Sequence, residues 1–352
     1  MSGPKPISSS QRRPPPGEGV RARLQLTAAA SCLDDVRRAV GAGADWINLT
    51  QRSLCFDRRL RDRDPWLREC EEAIAIVHRG GRRIAIAFAA RYGTRELPRV
   101  AKAAVRLADA GADALIASDL GTLDLIRGER PGLALHVSPQ ASATNRDAVS
   151  LYAMHFGVSR VALPASLPLA RMRHLLAAAP AEIELFGHGS YGSMLEGQCA
   201  LSSWITGISV GRDGGCSPAR VIHVHRSGRT VTSRLNGVLI DARPADVPGS
   251  VPAACRGRYQ VGRSSSYAFG MRRPENLVEI LPSLASPRPI AFRVVTTAGG
   301  PERQREMLAV WRAAIDACLD DPSRFAVRPE WRRVLEEDGD MLPCTASTTG
   351  HR

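Results

Sequence analysis

Lysine is almost missing from this 352-residue chain: Lys5 and Lys102 are the only two, so nearly all of the 48 basic residues are arginine. The formal net charge of +13 invites a phosphate-bearing partner. Arginine in place of lysine, however, reads as compositional bias as much as a binding surface. Aromatic residues make up only 5% of the chain, which leaves few platforms for stacking single-stranded bases. RNA contact is therefore the less favoured reading of the charge. No run of about 18 apolar residues exists to cross a bilayer, so membrane insertion is not expected. Residues 1–20 are rich in Pro, Ser and Arg and lack the apolar centre of a secretory signal. They are expected to be a disordered basic tail, with a second disordered tail at 336–352. The eight cysteines include no CxxC pair and no disulfide framework spacing, which predicts reduced thiols and a cytoplasmic location.

Short apolar, β-branched runs alternate with amphipathic stretches. The expected strands are 22–27, 45–49, 83–89, 113–117, 133–137, 160–163, 182–186 and 289–295. Helices fall between them, such as 31–40 capped by Ser31, and 95–110 with Val100, Ala103, Ala104 and Leu107 on one face. Gly43-Ala44-Asp45 and Gly111-Ala112-Asp113 each end a helix and open a strand. Eight βα units favour a closed barrel over an open doubly wound sheet. The expected fold is an α/β, TIM-like (β/α)8 barrel over 21–335, with a long insertion, 190–288, between strands 7 and 8. Within the insertion a hairpin is expected, pairing 223–225 with 230–234 through Ser227-Gly228. A last helix, 302–319, presents Met307, Leu308, Trp311, Ala314, Ile315 and Cys318 to the barrel wall.

The segment from Glu184 to Cys199, followed by Gly214-Gly215-Cys216, combines a histidine, two cysteines and six glycines. Glycine lets backbone approach a ligand, and cysteine with histidine serves metal sites and nucleophiles. Cys32, Cys70, Cys318 and Cys344 read as packing or incidental residues, which leaves Cys55, Cys199, Cys216 and Cys255. Four thiolates suit an iron-sulfur cluster or tetrahedral zinc, although the separations of 144, 17 and 39 residues follow no compact motif. His188, between two glycines, is positioned to face a cavity. It can equally be scaffold bonded to Glu184 or to a loop carbonyl.

Active sites of such barrels lie at the C-terminal ends of the strands. Those ends collect Cys55, Ser118 and Asp119, Ser138, Gln140 and Asn145, and His188. Asp119, Gln140 and Asn145, with Arg220 from the insertion, are candidate substrate-binding residues. The serine and aspartate positions read equally well as helix caps.

From about residue 22 to residue 325 the chain resembles peptidase family U32, the collagenase-like proteins. The resemblance is carried by Gly43-Ala44-Asp45, Ser118-Asp119-Leu120-Gly121, the block from His136 to Asn145, Gly157 to Leu163, and above all Glu184 to Gly189 with Gly197-Gln198-Cys199. It implies a barrel and, for many members, a 4Fe-4S cluster on four scattered cysteines. It reaches members that hydroxylate without molecular oxygen, both in anaerobic ubiquinone biosynthesis and on tRNA or rRNA. Cys199, Cys216 and Cys255 match cluster ligands of the ubiquinone branch. Gly192 stands where a cysteine four residues after the histidine is usual, and Cys55 matches a ligand after the second strand that replaces it.

Other positions also depart from the pattern: Arg220 where a cysteine is common, Ala165-Ser166 for an Arg-Glu pair, and Arg293 to Thr297 for Lys-Ile-Glu-Gly-Arg. The resemblance implies oxygen-independent hydroxylation of an aromatic or quinone-type small molecule, with His188 and Glu184 as candidate catalytic residues and a paralogous subunit as partner in a heterodimer. The alternatives are a U32-type peptidase using His188 and Cys199, and an RNA-hydroxylating protein.

Overall fold

The computed structural model describes residues 24–50, 65–89, 92–189, 222–235, 237–244, 259–261, 264–266, 275–284, 286, 288–295 and 300–336. In chain order these form β1 (Leu24–Ala30), α1 (Leu33–Gly41), β2 (Trp46–Leu49), α2 (Pro65–Arg79), β3 (Arg83–Phe88), α3 (Leu97–Asp109) and β4 (Ala114–Ala117). There follow α4 (Leu120–Glu129), β5 (Ala134–Val137), α5 (Arg146–Phe156), β6 (Val158–Ala162), α6 (Leu169–Ala178) and β7 (Glu182–Gly189). The insertion contributes β8 (Ile222–Ser227), β9 (Thr230–Leu235), β10 (Val238–Pro244), β11 (Tyr259–Val261), β12 (Ser264–Ser266) and β13 (Glu275–Asn276). The chain returns in β14 (Ile290–Val294), α7 (Gly300–Asp320) and α8 (Pro329–Glu336).

Strands β1 to β7 pair in parallel with their sequence neighbours, and β14 pairs in parallel with both β7 and β1. The eight-stranded sheet is therefore closed, as the sequence predicts, and each strand stands where it is expected. Closure leaves no edge among these strands. The apolar core lies between strands and helices: Leu26, Ile47, Ile86, Leu115 and Phe292 point outward and are buried under the helix layer. The α7 face formed by Met307, Leu308, Trp311, Ala314, Ile315 and Cys318 is buried as expected.

The two Gly-Ala-Asp repeats do the same job on alternate units, before β2 and before β4. Gly43 and Gly111 take left-handed φ values of 80° and 97°. Each aspartate then accepts a backbone N–H from an adjacent strand, Asp45 from Leu26 at 2.8 Å and Asp113 from Ile84 at 2.8 Å. The predicted Ser31 cap needs correction. Helix α1 starts at Leu33 with Cys32 in the cap position. The Asp35 carboxylate reaches back to accept the Ser31 N–H at 2.9 Å and its hydroxyl at 2.8 Å, so the first turn is tied from the helix side.

The insertion leaves the barrel after β7 and comes back beside it, because β13 pairs antiparallel with the end of β7, Glu275 with Gly189 and Asn276 with His188. Both of its ends are thus anchored at the mouth. The expected hairpin forms, with Ser227 opposite Thr230 and His223 opposite Arg234. It gains a third strand, β10, and a second small hairpin, β11 with β12, that period-2 reading of a polar stretch did not reveal. Apart from Glu336, which ends α8, the two predicted tails lie outside the described residues.

Candidate functional site: a charged barrel lumen

Strand alternation and the parallel register place Thr27, Trp46, Asn48, Arg83, His136, Arg160, Glu182, Glu184 and Arg293 on the inward side of the barrel. The lumen is accordingly charged rather than filled with the branched apolar side chains usual in such barrels. Arg160 is 1% exposed. Its Nη2 donates to Glu182 Oε2 at 2.7 Å and to Gln25 Oε1 at 2.6 Å, and its Nε donates to the same Glu182 oxygen at 3.1 Å. Glu184, 2% exposed, accepts from Arg293 Nε at 2.7 Å and from Asn48 Nδ2 at 3.2 Å, and lies 3.9 Å from Arg160 Nη1.

Trp46 sits between two guanidinium groups, with the Cζ atoms of Arg83 and Arg160 at 4.5 and 4.6 Å from its ring centre. The imidazole of His136 packs on the same ring at 5.0 Å. Burial, and then the charges of Arg160, Arg293 and Arg83, hold its pKa well below the ordinary 6.5, so it is neutral at physiological pH. Three guanidiniums against two carboxylates leave this lumen one positive charge in excess. Thr27 Oγ1, Trp46 Nε1, Asn48 Oδ1, His136 Nδ1 and Arg160 Nη1 are buried with no hydrogen-bond partner among the described residues. Donors and acceptors unspent at inward positions are the chemistry of a chamber with polar contents.

The predicted site residues divide. Glu184 is central to the network, and its hydrogen bonds run to Arg293 and Asn48. His188 is fully buried, not open to solvent, and its carbonyl accepts the Val295 N–H at 2.9 Å where β7 and β14 shift register. The glycines beside it serve packing. A Cβ on Gly187 would meet Trp311 at 3.0 Å, and one on Gly189, at φ +123°, would meet the Val295 carbonyl oxygen at 2.2 Å.

Asp119 caps α4, accepting from the Thr122 N–H at 2.9 Å and its hydroxyl at 2.7 Å, and Asn145 caps α5 through the Ala148 N–H at 2.9 Å. Their side chains are thereby committed to helix starts. Gln140 gathers the ends of β4 and β5, its Oε1 accepting from the hydroxyls of Ser138 and Ser118. Arg220, Cys55, Cys199, Cys216 and Cys255 lie outside the described residues. Sequence reasoning passed over Arg160, His136, Asn48 and Arg83 as site residues. Their signal was a polar side chain at every second position of otherwise apolar strands, as in Ala134-Leu135-His136-Val137.

The described cysteines behave as packing residues. Cys70 is buried between α2 and the barrel, and burial with the neighbouring Glu69 and Glu71 pushes its thiol up to about 12. Burial raises Cys318 as well. Neither is a thiolate at neutral pH, so neither offers a ready metal ligand. No group of three or more potential metal ligands occurs among the described residues.

Three curated relatives are similar to this chain. The tRNA hydroxylation protein P1 of Bacillus subtilis is 23% identical over 93% of the chain and 71% of its own length. The tRNA hydroxylation protein P of Escherichia coli is 28% identical over 51% of the chain and 40% of its own length. The 23S rRNA 5-hydroxycytidine C2501 synthase of Escherichia coli is 29% identical over 56% of the chain and 29% of its own length. The matched region thus spans less than half of the two Escherichia coli proteins. The sequence profile of peptidase family U32 matches residues 31–340, on the same barrel and insertion that the structure lays out, and the chain belongs to that family.

Proposed function

We propose that the protein hydroxylates an RNA base, in the cytoplasm, on tRNA or rRNA. The observation that carries this reading is the alignment of 93% of the chain with a tRNA hydroxylation protein. It reverses the ranking drawn from the sequence, in which a quinone-type small molecule, implied by the family resemblance, stood ahead of RNA. The three relatives described above are hydroxylation proteins, which ranks the peptidase alternative behind as well, although one further similar protein, from Methanocaldococcus jannaschii, is named as an uncharacterized protease.

Cys55, Cys199, Cys216 and Cys255 would hold a 4Fe-4S cluster. Their thiolates suit it, and Cys70 and Cys318 are absorbed by packing. A cluster so held supplies one-electron transfer. The chain leaves the barrel after β2 and after β7 towards these cysteines, both at the C-terminal rim. Below the rim, Glu184 acts as a positioning residue: it fixes Arg293 and Asn48 and balances Arg160. His136, kept neutral, can accept or donate a hydrogen bond without adding charge.

The test is nucleoside mass spectrometry of tRNA and rRNA from a host deleted for its own RNA hydroxylases and expressing this chain. A new hydroxylated nucleoside is expected, lost in each of Cys55→Ser, Cys199→Ser, Cys216→Ser and Cys255→Ser. Anaerobically purified protein is expected to carry about four irons per chain, and fewer in those variants. RNA without any new hydroxylated nucleoside overturns the proposal, and iron-free protein overturns the cluster.

A further inference from the structure

The β8–β9 hairpin of the insertion concentrates exposed arginine in a stretch that holds no acidic residue. Among the described residues, some exposed arginines of the barrel are matched with carboxylates, Arg37 with Asp34 at 2.9 Å, Arg130 with Asp109 at 2.6 Å and Arg305 with Glu302 at 2.8 Å, while others, such as Arg68, Arg95 and Arg146, are scattered singly without one. In the β8–β9 hairpin, Arg226, Arg229 and Arg234 are exposed, and none pairs with a carboxylate among the described residues. Arg234 donates to the Gly237 carbonyl at 2.8 Å. The residues from Ile222 to Leu235 include no Asp or Glu at all, so the hairpin has no means of neutralising itself.

Geometry gathers the charge. His223 lies opposite Arg234 and His225 opposite Thr232, so His223, His225 and Arg234 share one face of the sheet, and all three are exposed. Arg226 and Arg229 flank the turn around Gly228, at the tip. The opposite face buries Val231 and Ser233 but also carries their cross-strand partners Arg226 and Val224, both exposed. The insertion that bears this hairpin starts and ends at the C-terminal rim of β7, through the β13 pairing.

We infer that the tip of the β8–β9 hairpin and the exposed arginines on its two faces form the docking surface for the RNA backbone, with Arg226, Arg229 and Arg234 each contacting phosphate. This rests on the RNA reading above and adds where RNA lands. Charge complementarity selects the occupant, since an unneutralised arginine cluster attracts a polyanion and arginine pairs bidentately with phosphate. Residues 222–235 contain no Phe, Trp or Tyr, so the contact is with the backbone and is independent of base sequence. The hairpin supplies affinity, and the barrel mouth selects the base.

Fluorescence anisotropy with labelled bulk tRNA tests this. The triple variant Arg226→Ala, Arg229→Ala, Arg234→Ala is expected to bind roughly 10- to 100-fold more weakly at about 0.1 M salt. The slope of log K against log salt should fall by about 2 to 3, the share of three phosphate contacts. A matched triple on the barrel, Arg37→Ala, Arg130→Ala, Arg305→Ala, removes the same charge and is expected to leave binding within about threefold, since those side chains are already paired. Replacing the three hairpin arginines by lysine should keep most of the affinity, and circular dichroism checks that each variant is folded.

Equal losses in the hairpin and barrel triples would overturn the inference, showing that only net charge matters. So would unchanged tRNA binding in the hairpin variant, or an effect confined to poly-glutamate, which would assign the patch to an acidic protein partner. These outcomes are separate from the nucleoside assay. Hairpin-dependent binding without hydroxylation would leave the surface and remove the activity. Hydroxylation with hairpin-independent binding would do the reverse.

Discussion

Arg160 inside the barrel is 1% exposed and spends its guanidinium on Glu182 and Gln25, while Arg234 on the hairpin is exposed and donates to one backbone carbonyl. Both belong to the same lysine-poor, arginine-rich composition. What separates them is the company each keeps. β6 and β7 bring Arg160 beside Glu182 in register, so the cost of removing the charge from water is met by hydrogen bonds from a fixed planar fork. The hairpin sequence supplies no acid, and its charge remains available to an external partner. Net charge over the whole chain cannot tell these roles apart, whereas pairing can.

Removing a lumen arginine is the strongest way to break the contrast. Arg160→Ala leaves the buried Glu184 with Arg293 alone and Glu182, whose side chain is 31% exposed, to partial solvation, and is expected to cost about 3 kcal/mol of stability in urea unfolding. Arg160→Lys keeps the charge but loses the fork and should fall between the variant and the wild type. A loss below about 1 kcal/mol for Arg160→Ala would mean that the lumen is solvated and behaves like the surface. Arg293→Ala comes next. Its side chain is 19% exposed, so water compensates Glu184 in part, and a loss of about 2–3 kcal/mol is expected in the same measurement.

The barrel itself was legible because its signals are local and repeated: eight apolar runs, helix-ending glycines, and the Gly-Ala-Asp pairs at Asp45 and Asp113. The lumen was less so. His136, Arg160 and Arg293 each look like an interruption in an apolar strand, and their meaning appears only when closure of the sheet brings β5, β6 and β14 around one space. The glycines at 187 and 189 show the opposite failure. Their density suggested backbone approach to a ligand, but the approach is to Trp311 and to the Val295 carbonyl, distant in sequence. Asp119 and Asn145 sit at strand ends where catalysis is expected, yet a helix beginning at the same place uses both as caps.

The pH dependence of stability sharpens the comparison further. His136 has its folded pKa held well below 6.5, so as pH falls below about 6.5 the unfolded chain takes up a proton that the folded chain refuses. Stability should therefore drop on acidification, by up to ~1.4 kcal/mol per pH unit from this group, with the full contribution present above pH 6.5. His136→Gln removes the titration. The difference in slope between the variant and the wild type, read from urea unfolding between pH 6.5 and 5.5, isolates the contribution of the lumen. Identical slopes would show that His136 titrates in the folded barrel as it does in the unfolded chain, and that burial and the three arginines do not act on it.

The smallest expected effect lies at the other pole of the contrast. Arg226→Ala, Arg229→Ala and Arg234→Ala remove three charges, but, unlike Arg160 and Arg293, from side chains that face solvent without a carboxylate partner among the described residues. Nothing is left buried and unpaired, so each change should alter unfolding free energy by less than about 0.5 kcal/mol. Relief of repulsion within the patch places the sign of any change towards stabilisation, most visibly at low ionic strength, where screening is weakest. A residue kept for fold stability would show the reverse. A loss of more than about 1 kcal/mol in any of the three single variants would mean that the hairpin arginines, like Arg160, hold the structure together, and the division of labour between the two regions would fail.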